Sequence, residues 1–219
     1  MQGIATEMHE YHGEFEVHIT VNTPSAKALD EFREWCHARD LKCVRIILAR
    51  GAHIDQPMAT WRRRGTKLSV VVEEAEQRAT EMHRAGFPVV RVKVEAGLGN
   101  DDVPLQDADT KGHRPGNYFE HHVKLLRSMI APCEPLVRAC ETLGAHLSRN
   151  AFREAADGRE ERFVTLRSYE AGQFTSVMKL QELLAALEGL GEQVIACESE
   201  YCVYDTNLKV DAGWLCQLA

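Results

Sequence analysis

The chain has 219 residues, of which 44% are hydrophobic and 27% charged, and a formal net charge of −7. That is a globular composition, long enough for one large domain or two small ones. The acidic balance argues against a general nucleic-acid binder, which carries a basic excess. No apolar run reaches membrane-spanning length. The start, Met1 to Gly13, is polar and carries Glu7 and Glu10, unlike a signal peptide. The cysteines (Cys36, Cys43, Cys133, Cys140, Cys197, Cys202 and Cys216) are odd in number and form no C-x-x-C pair. They read as reduced, mostly buried thiols of a cytoplasmic protein.

In chain order, Phe15, Val17, Ile19 and Val21 alternate with Glu16, His18 and Thr20, the period of a half-buried strand. Thr23-Pro24 reads as a cap and first residue of a helix running to about Arg39, with Leu29, Phe32 and Cys36 on one face. Strands are expected at 43–49 and 58–62. A long helix follows over about 67–84, stopped by Gly86. Val90, Val92 and Val94 then alternate with Arg91, Lys93 and Glu95 in a fourth strand. Residues 96–117, rich in Gly, Asp and Pro, read as a linker.

After the linker the order starts again. Phe119, His121, Val123 and Leu125 alternate with Glu120, His122 and Lys124. Pro132 and Pro135 mark a helix to about Leu143, and strands are expected at 145–148 and 163–167 around a polar loop, 153–161. A helix over about 175–188 has Leu180, Leu183, Leu184 and Leu187 on its buried side and stops at Gly191, before a last strand over 194–201. The halves match by residue: Phe15-Glu16-x-His18 with Phe119-Glu120-x-His122, Thr60-x-Arg62 with Thr165-x-Arg167, Glu95 with Glu200. The gaps between matches fall in loops. The expected fold is therefore α+β, a tandem duplication of a ferredoxin-like βαββαβ unit with two antiparallel sheets and helices on one face of each. The repeats span 13–97 and 118–205, joined by linker 98–117 and followed by a tail, 206–219. The tail from Val210 to Leu218, with Trp214, is expected to pack on the body or on a partner subunit of a homo-oligomer.

Helices on one face leave a polar face in each half: Glu16, His18, Thr20, Arg91, Lys93 and Glu95 in the first, and Glu120, His122, Lys124, Thr165, Arg167, Glu198 and Glu200 in the second. Such faces are often simply solvated. Mid-strand histidines at matched positions point instead to a cleft between the halves. In the first reading it holds a small phosphorylated or otherwise anionic molecule. His18 and His122 are the acid–base pair, and Glu16 and Glu120 orient them. Thr20, Lys124, Arg149, Thr165 and Arg167 hold the anion, and no cofactor is needed. His18-Ile-Thr20-Val21 resembles the H-x-T-x motif of the 2H phosphoesterases, two-lobed enzymes in which each lobe gives one histidine strand to a central cleft. The resemblance implies a hydrolase with His18 and His122 as base and acid; Lys124 stands where its second hydroxyl would be.

The second reading is a divalent transition metal held by His18, Glu95, His122 and Glu200, a set that looks like that of the vicinal-oxygen-chelate superfamily. That superfamily's unit is βαβββ, whereas a helix is expected over 67–84 here. The third reading is a non-catalytic ligand-sensing or assembly module.

Overall fold

The structure is a computed structural model that describes residues 9–154 and 158–214. Its elements are β1 (His12–Val21), α1 (Ala26–His37), β2 (Lys42–Leu48), β3 (Asp55–Lys67), α2 (Leu68–Arg84), β4 (Val89–Gly97), β5 (Tyr118–Ser128), α3 (Glu134–Thr142), β6 (Ala145–Glu154), β7 (Arg159–Tyr169), α4 (Gln173–Gly189) and β8 (Gln193–Asp205). Both halves thus run βαββαβ, and the chain is α+β with antiparallel strand pairing throughout. No described helix is long and apolar enough to cross a membrane.

The sheet departs from expectation. Within each half the strand order is the same, β4-β1-β3-β2 and β8-β5-β7-β6. Two separate sheets would leave four edges, each a row of unpaired backbone groups. Instead β2 pairs with β6 and β4 with β8, and the eight strands close into one barrel. Closure turns the helix-free faces inward, so the polar strand sets line the barrel interior. An eight-stranded barrel is just wide enough to fill with side chains or to hold one small ligand.

The helices pack outside, where the apolar parity of the strands points. Phe32, Cys36, Val71, Ala75 and Met82 bury against Val17, Ile19, Val92 and Val94. Leu136, Leu180, Leu183 and Leu187 bury against Val123, Leu125, Val164 and Leu166, with Leu184 only partly buried at the edge. Each fully buried leucine contributes roughly 1.5–3 kcal/mol. Phe119 and Tyr201 join the first cluster, their rings 4.5 Å apart, so the β4–β8 seam is apolar on its outer side. His121 has the same outward parity and is fully buried, its Nε2 2.7 Å from Ser176 Oγ on α4.

Several boundaries differ from the sequence reading. Ser25, not Thr23, caps α1: its Oγ accepts from the Ala28 amide. The strands β3, β6, β7 and β8 are longer than their apolar cores because barrel pairing carries polar residues along, and much of the polar loop expected over 153–161 belongs to the β6–β7 pair. Gly86 and Gly191 follow their helices with positive φ, as the helix stops require. The linker carries a 3-10 helix, Asp107–Gly112, with a reciprocal cap between Gln106 and Asp109. It docks on the start of α4, where the Gly172 amide donates to Asp107 Oδ1 at 2.7 Å.

That contact is tight enough to test. A Cβ on Gly172 would lie 2.3 Å from the Gln106 carbonyl carbon and 2.6 Å from its oxygen. Gly172→Ala is therefore expected to destabilise the chain by about 1–3 kcal/mol in urea denaturation, since backbone must move to make room.

Candidate functional site

The barrel interior holds a part-open cavity of about 320 Å³. One wall, from β1, β4, β5 and β7, is polar and presents His18, Thr20, Lys93, Glu120, His122 and Arg167. The facing wall, largely β2, presents Val44, Ile46 and Leu48, with Met58 and Phe163 beside them. Strand parity explains both walls, since residues two apart share a face.

The two histidines are held alike. His18 lies opposite Thr60 in the β1–β3 register, and its Nδ1 is 2.9 Å from Thr60 Oγ1. His122 lies opposite Thr165 in the β5–β7 register, its Nδ1 3.0 Å from Thr165 Oγ1. Each threonine fixes its ring and leaves Nε2 for the interior. His18 Nε2 is 2.9 Å from Glu95 Oε2, and His122 Nε2 is 3.5 Å from Glu120 Oε2. Thr165 thus orients a histidine. Thr60, not singled out in the sequence, does the same; the matched Thr-x-Arg pairs were the signal for it.

Below the histidines runs a ladder of buried ion pairs. Lys93 Nζ lies 2.8 Å from Glu95 Oε1 and 2.6 Å from Glu120 Oε2. Arg167 joins Glu120 to Asp211, and Arg91 joins Asp211 to Asp205. Gln56 Nε2 donates to Asp211 Oδ1 at 3.1 Å. Burial alone would push the Glu120 carboxyl up, but Arg167 and Lys93 outweigh it and hold the group well below the ordinary range. Asp211 is likewise held low against burial by Arg167 and Arg91. Lys93 is held above its ordinary value by Glu120 and Glu95, again against burial.

The tail completes this end. Asp211 and Trp214 both line the cavity, and Trp214 Nε1 donates to the Leu147 carbonyl at 3.0 Å. The tail therefore packs on the body, as far as Trp214. Nothing local in its sequence marks Asp211 as a partner of two strand arginines; only the fold brings it there.

The remaining expected residues are placed as follows. Glu16 lines the cavity but pairs with Arg62, Oε2 to Nη2 2.6 Å, rather than with His18; the neighbouring strand supplies Glu95 to that imidazole instead. Thr20 is buried in the wall. Lys124 faces the cavity and is paired with Glu161 at 2.7 Å. Arg149 is not a lining residue: Ser148 and Asn150 are, and Arg149 shares the parity of Leu147 in the outer core. Lys124 and Arg167, expected to meet an anion, each already face a carboxylate, as do Arg91 and Lys93 on the same inner faces. Glu200 lies beside Glu95 and His122, where donor atoms of all three fall within 4.8 Å of one another. Burial, then the nearby Glu95 and Glu16 carboxylates, push its carboxyl well above the ordinary range.

No family model matches the chain, and no curated protein does. Among solved structures the chain is similar to the acetolactate synthase small subunit from Thermotoga maritima, at 11% identity over 88% of this chain and 96% of that one, with a TM-score of 0.30.

The ion-pair ladder makes a stability prediction. Arg167→Ala strands Glu120 and Asp211 in the interior and is expected to cost about 3–5 kcal/mol. The sign with pH follows from the two depressed carboxyls. Their stabilisation is whole above their unfolded values, 4.5 for Glu120 and 3.8 for Asp211, and is lost as pH falls through the lower folded values. Denaturation measured from pH 7 to pH 3 should show a shallower acid loss in Arg167→Ala than in the parent chain.

Proposed function

We propose that the protein binds a small amphiphilic molecule inside the barrel, its polar head at His18 and His122 and its apolar body along β2. The observation that carries this reading is the cavity itself, with one polar and one apolar wall and one imidazole from each half. A structural core has no reason to leave about 320 Å³ open beside Ile46 and Phe163. Concave, largely apolar sites with a few placed polar groups are the usual form of small-molecule sites.

The same reading takes the halves as copies of one ferredoxin-like unit whose polar faces became a single asymmetric site. The asymmetry is chemical. His18 is opposed in register by Lys93, and His122 by Glu198. Thr20 of the first half is matched by Lys124 of the second. A head group carrying both an acceptor and a donor suits this wall better than a fully charged phosphate, because the nearby cations are already neutralised by carboxylates.

Proton exchange with the ligand is a second reading, favoured by one observation. Each imidazole has Nδ1 fixed by a threonine and Nε2 toward the cavity, the arrangement a general acid or base needs.

The binding reading is tested with the uncharged dye N-phenyl-1-naphthylamine, whose N–H serves as the polar head. The chain is expected to bind it saturably with enhanced fluorescence. Val44→Trp fills the cavity from the apolar wall, and His122→Ala removes half of the head site. Each should weaken binding at least tenfold, about 1.4 kcal/mol. Failure to bind, or equal binding by the Val44→Trp variant with its fold intact by circular dichroism, would discard the reading.

A further inference from the structure

We infer that the inner face where β1, β4, β8 and β5 adjoin, at the edge of the cavity, is a centre for one divalent transition-metal ion, held by Glu95, His122 and Glu200 with His18 as fourth donor. The inference rests on the barrel interior being a ligand site, but it requires no organic ligand to be identified.

Three observations converge on it. The first is composition at a point. One donor atom each from Glu95, His122 and Glu200 lies within 4.8 Å of the others, and His18 Nε2 is 2.9 Å from Glu95 Oε2. Metal–ligand bonds of about 2.0–2.2 Å place neighbouring ligand atoms roughly 3–4 Å apart, so small side-chain adjustments bring this set onto one ion. The donors come from β1, β4, β5 and β8, four consecutive strands of the barrel wall, which fix their mutual positions.

The second observation is an unsatisfied buried group. Glu95 is fully buried, and both its oxygens lack a hydrogen bond of acceptable geometry. Lys93 Nζ and His18 Nε2 lie close, at 2.8 and 2.9 Å, but off the hydrogen-bond directions. The Lys93 ammonium balances the charge of Glu95, but a metal ion would add directed bonds to a carboxylate that has none. Glu200 beside it has no salt bridge among the described residues, and the Lys93 ammonium that contacts Glu95 is shared with Glu120.

The third is the second layer. Both histidines have Nδ1 at a threonine hydroxyl, His18 at Thr60 and His122 at Thr165, which leaves Nε2 as the ligating atom. Ligating histidines characteristically have their other nitrogen held in this way, which fixes the ring. Two imidazoles with two carboxylates suit Mn(II), Fe(II), Co(II), Ni(II) or Zn(II). Magnesium and calcium prefer all-oxygen sets. The helix in each half, α2 and α4, gives βαββαβ units, so the site does not depend on a βαβββ scaffold.

The test uses metal alone. Full-length protein is treated with chelator, dialysed, and titrated with Co(II), Mn(II), Ni(II) and Zn(II) by equilibrium dialysis with elemental analysis. One ion per chain is expected, with visible ligand-field bands for Co(II). Affinity should fall at least tenfold in His122→Ala and, independently, in Glu200→Gln, which keeps the shape and removes the charge. Arg45→Ala, which breaks an exposed ion pair with Asp55 outside the cavity, should leave metal affinity unchanged. Absence of saturable one-to-one binding, or binding retained in both ligand variants, overturns the site. Dye binding that Val44→Trp still weakens would then leave the barrel-binding reading standing. Metal binding without dye binding would remove that reading and keep the ion.

Discussion

Closing the sheet commits the chain to burying charge. Once β2 meets β6 and β4 meets β8, every second residue of eight strands turns to an interior that water reaches poorly. Charged groups there must be paired, because an isolated buried charge costs several kcal/mol or more. The run from Asp205 through Arg91, Asp211, Arg167, Glu120 and Lys93 to Glu95 meets that requirement link by link. The C-terminal tail is drawn into the same scheme, since Asp211 is the carboxylate that joins the two arginines.

The scheme has a consequence for chemistry. Cations engaged with carboxylates are not available to hold a free anion, so the basic residues of the strands act as internal counter-ions. At the far end of the ladder sit Glu95 without directed hydrogen bonds, Glu200 without a salt bridge among the described residues, and two imidazoles with one nitrogen each turned inward; midway along it, Arg167 Nη1 also lacks a partner. The electrostatic demand of that end is for positive charge. It lies beside an apolar wall that offers room for an organic molecule.

The two halves solve the same packing problem with different interiors. Their outer faces are alike: β-branched and leucine side chains under two helices each. Their inner faces differ. Lys93 stands opposite His18, whereas Glu198 stands opposite His122 and is largely exposed. Two halves of the same strand order thus line one interior unequally.

The sequence alone determined the elements and their faces. Period-two alternation in β1, β4 and β5 separated the helix-packing residues from the polar set, and the matched Glu-x-His and Thr-x-Arg pairs marked the residues that meet across strands: His18 with Thr60, His122 with Thr165. These are consequences of backbone periodicity and are legible within a few residues. Closure was not legible, because which sheet edges meet depends on backbone hydrogen bonding between strands far apart in sequence. Three placements went beyond the first sequence reading. Glu95, rather than Glu16, became the carboxylate at His18. Arg149 fell on the outer face beside Leu147. Asp211 and Trp214 entered the cavity from a tail without periodicity of its own. Local pattern decides which face a side chain takes; only the closed barrel decides what that face looks at.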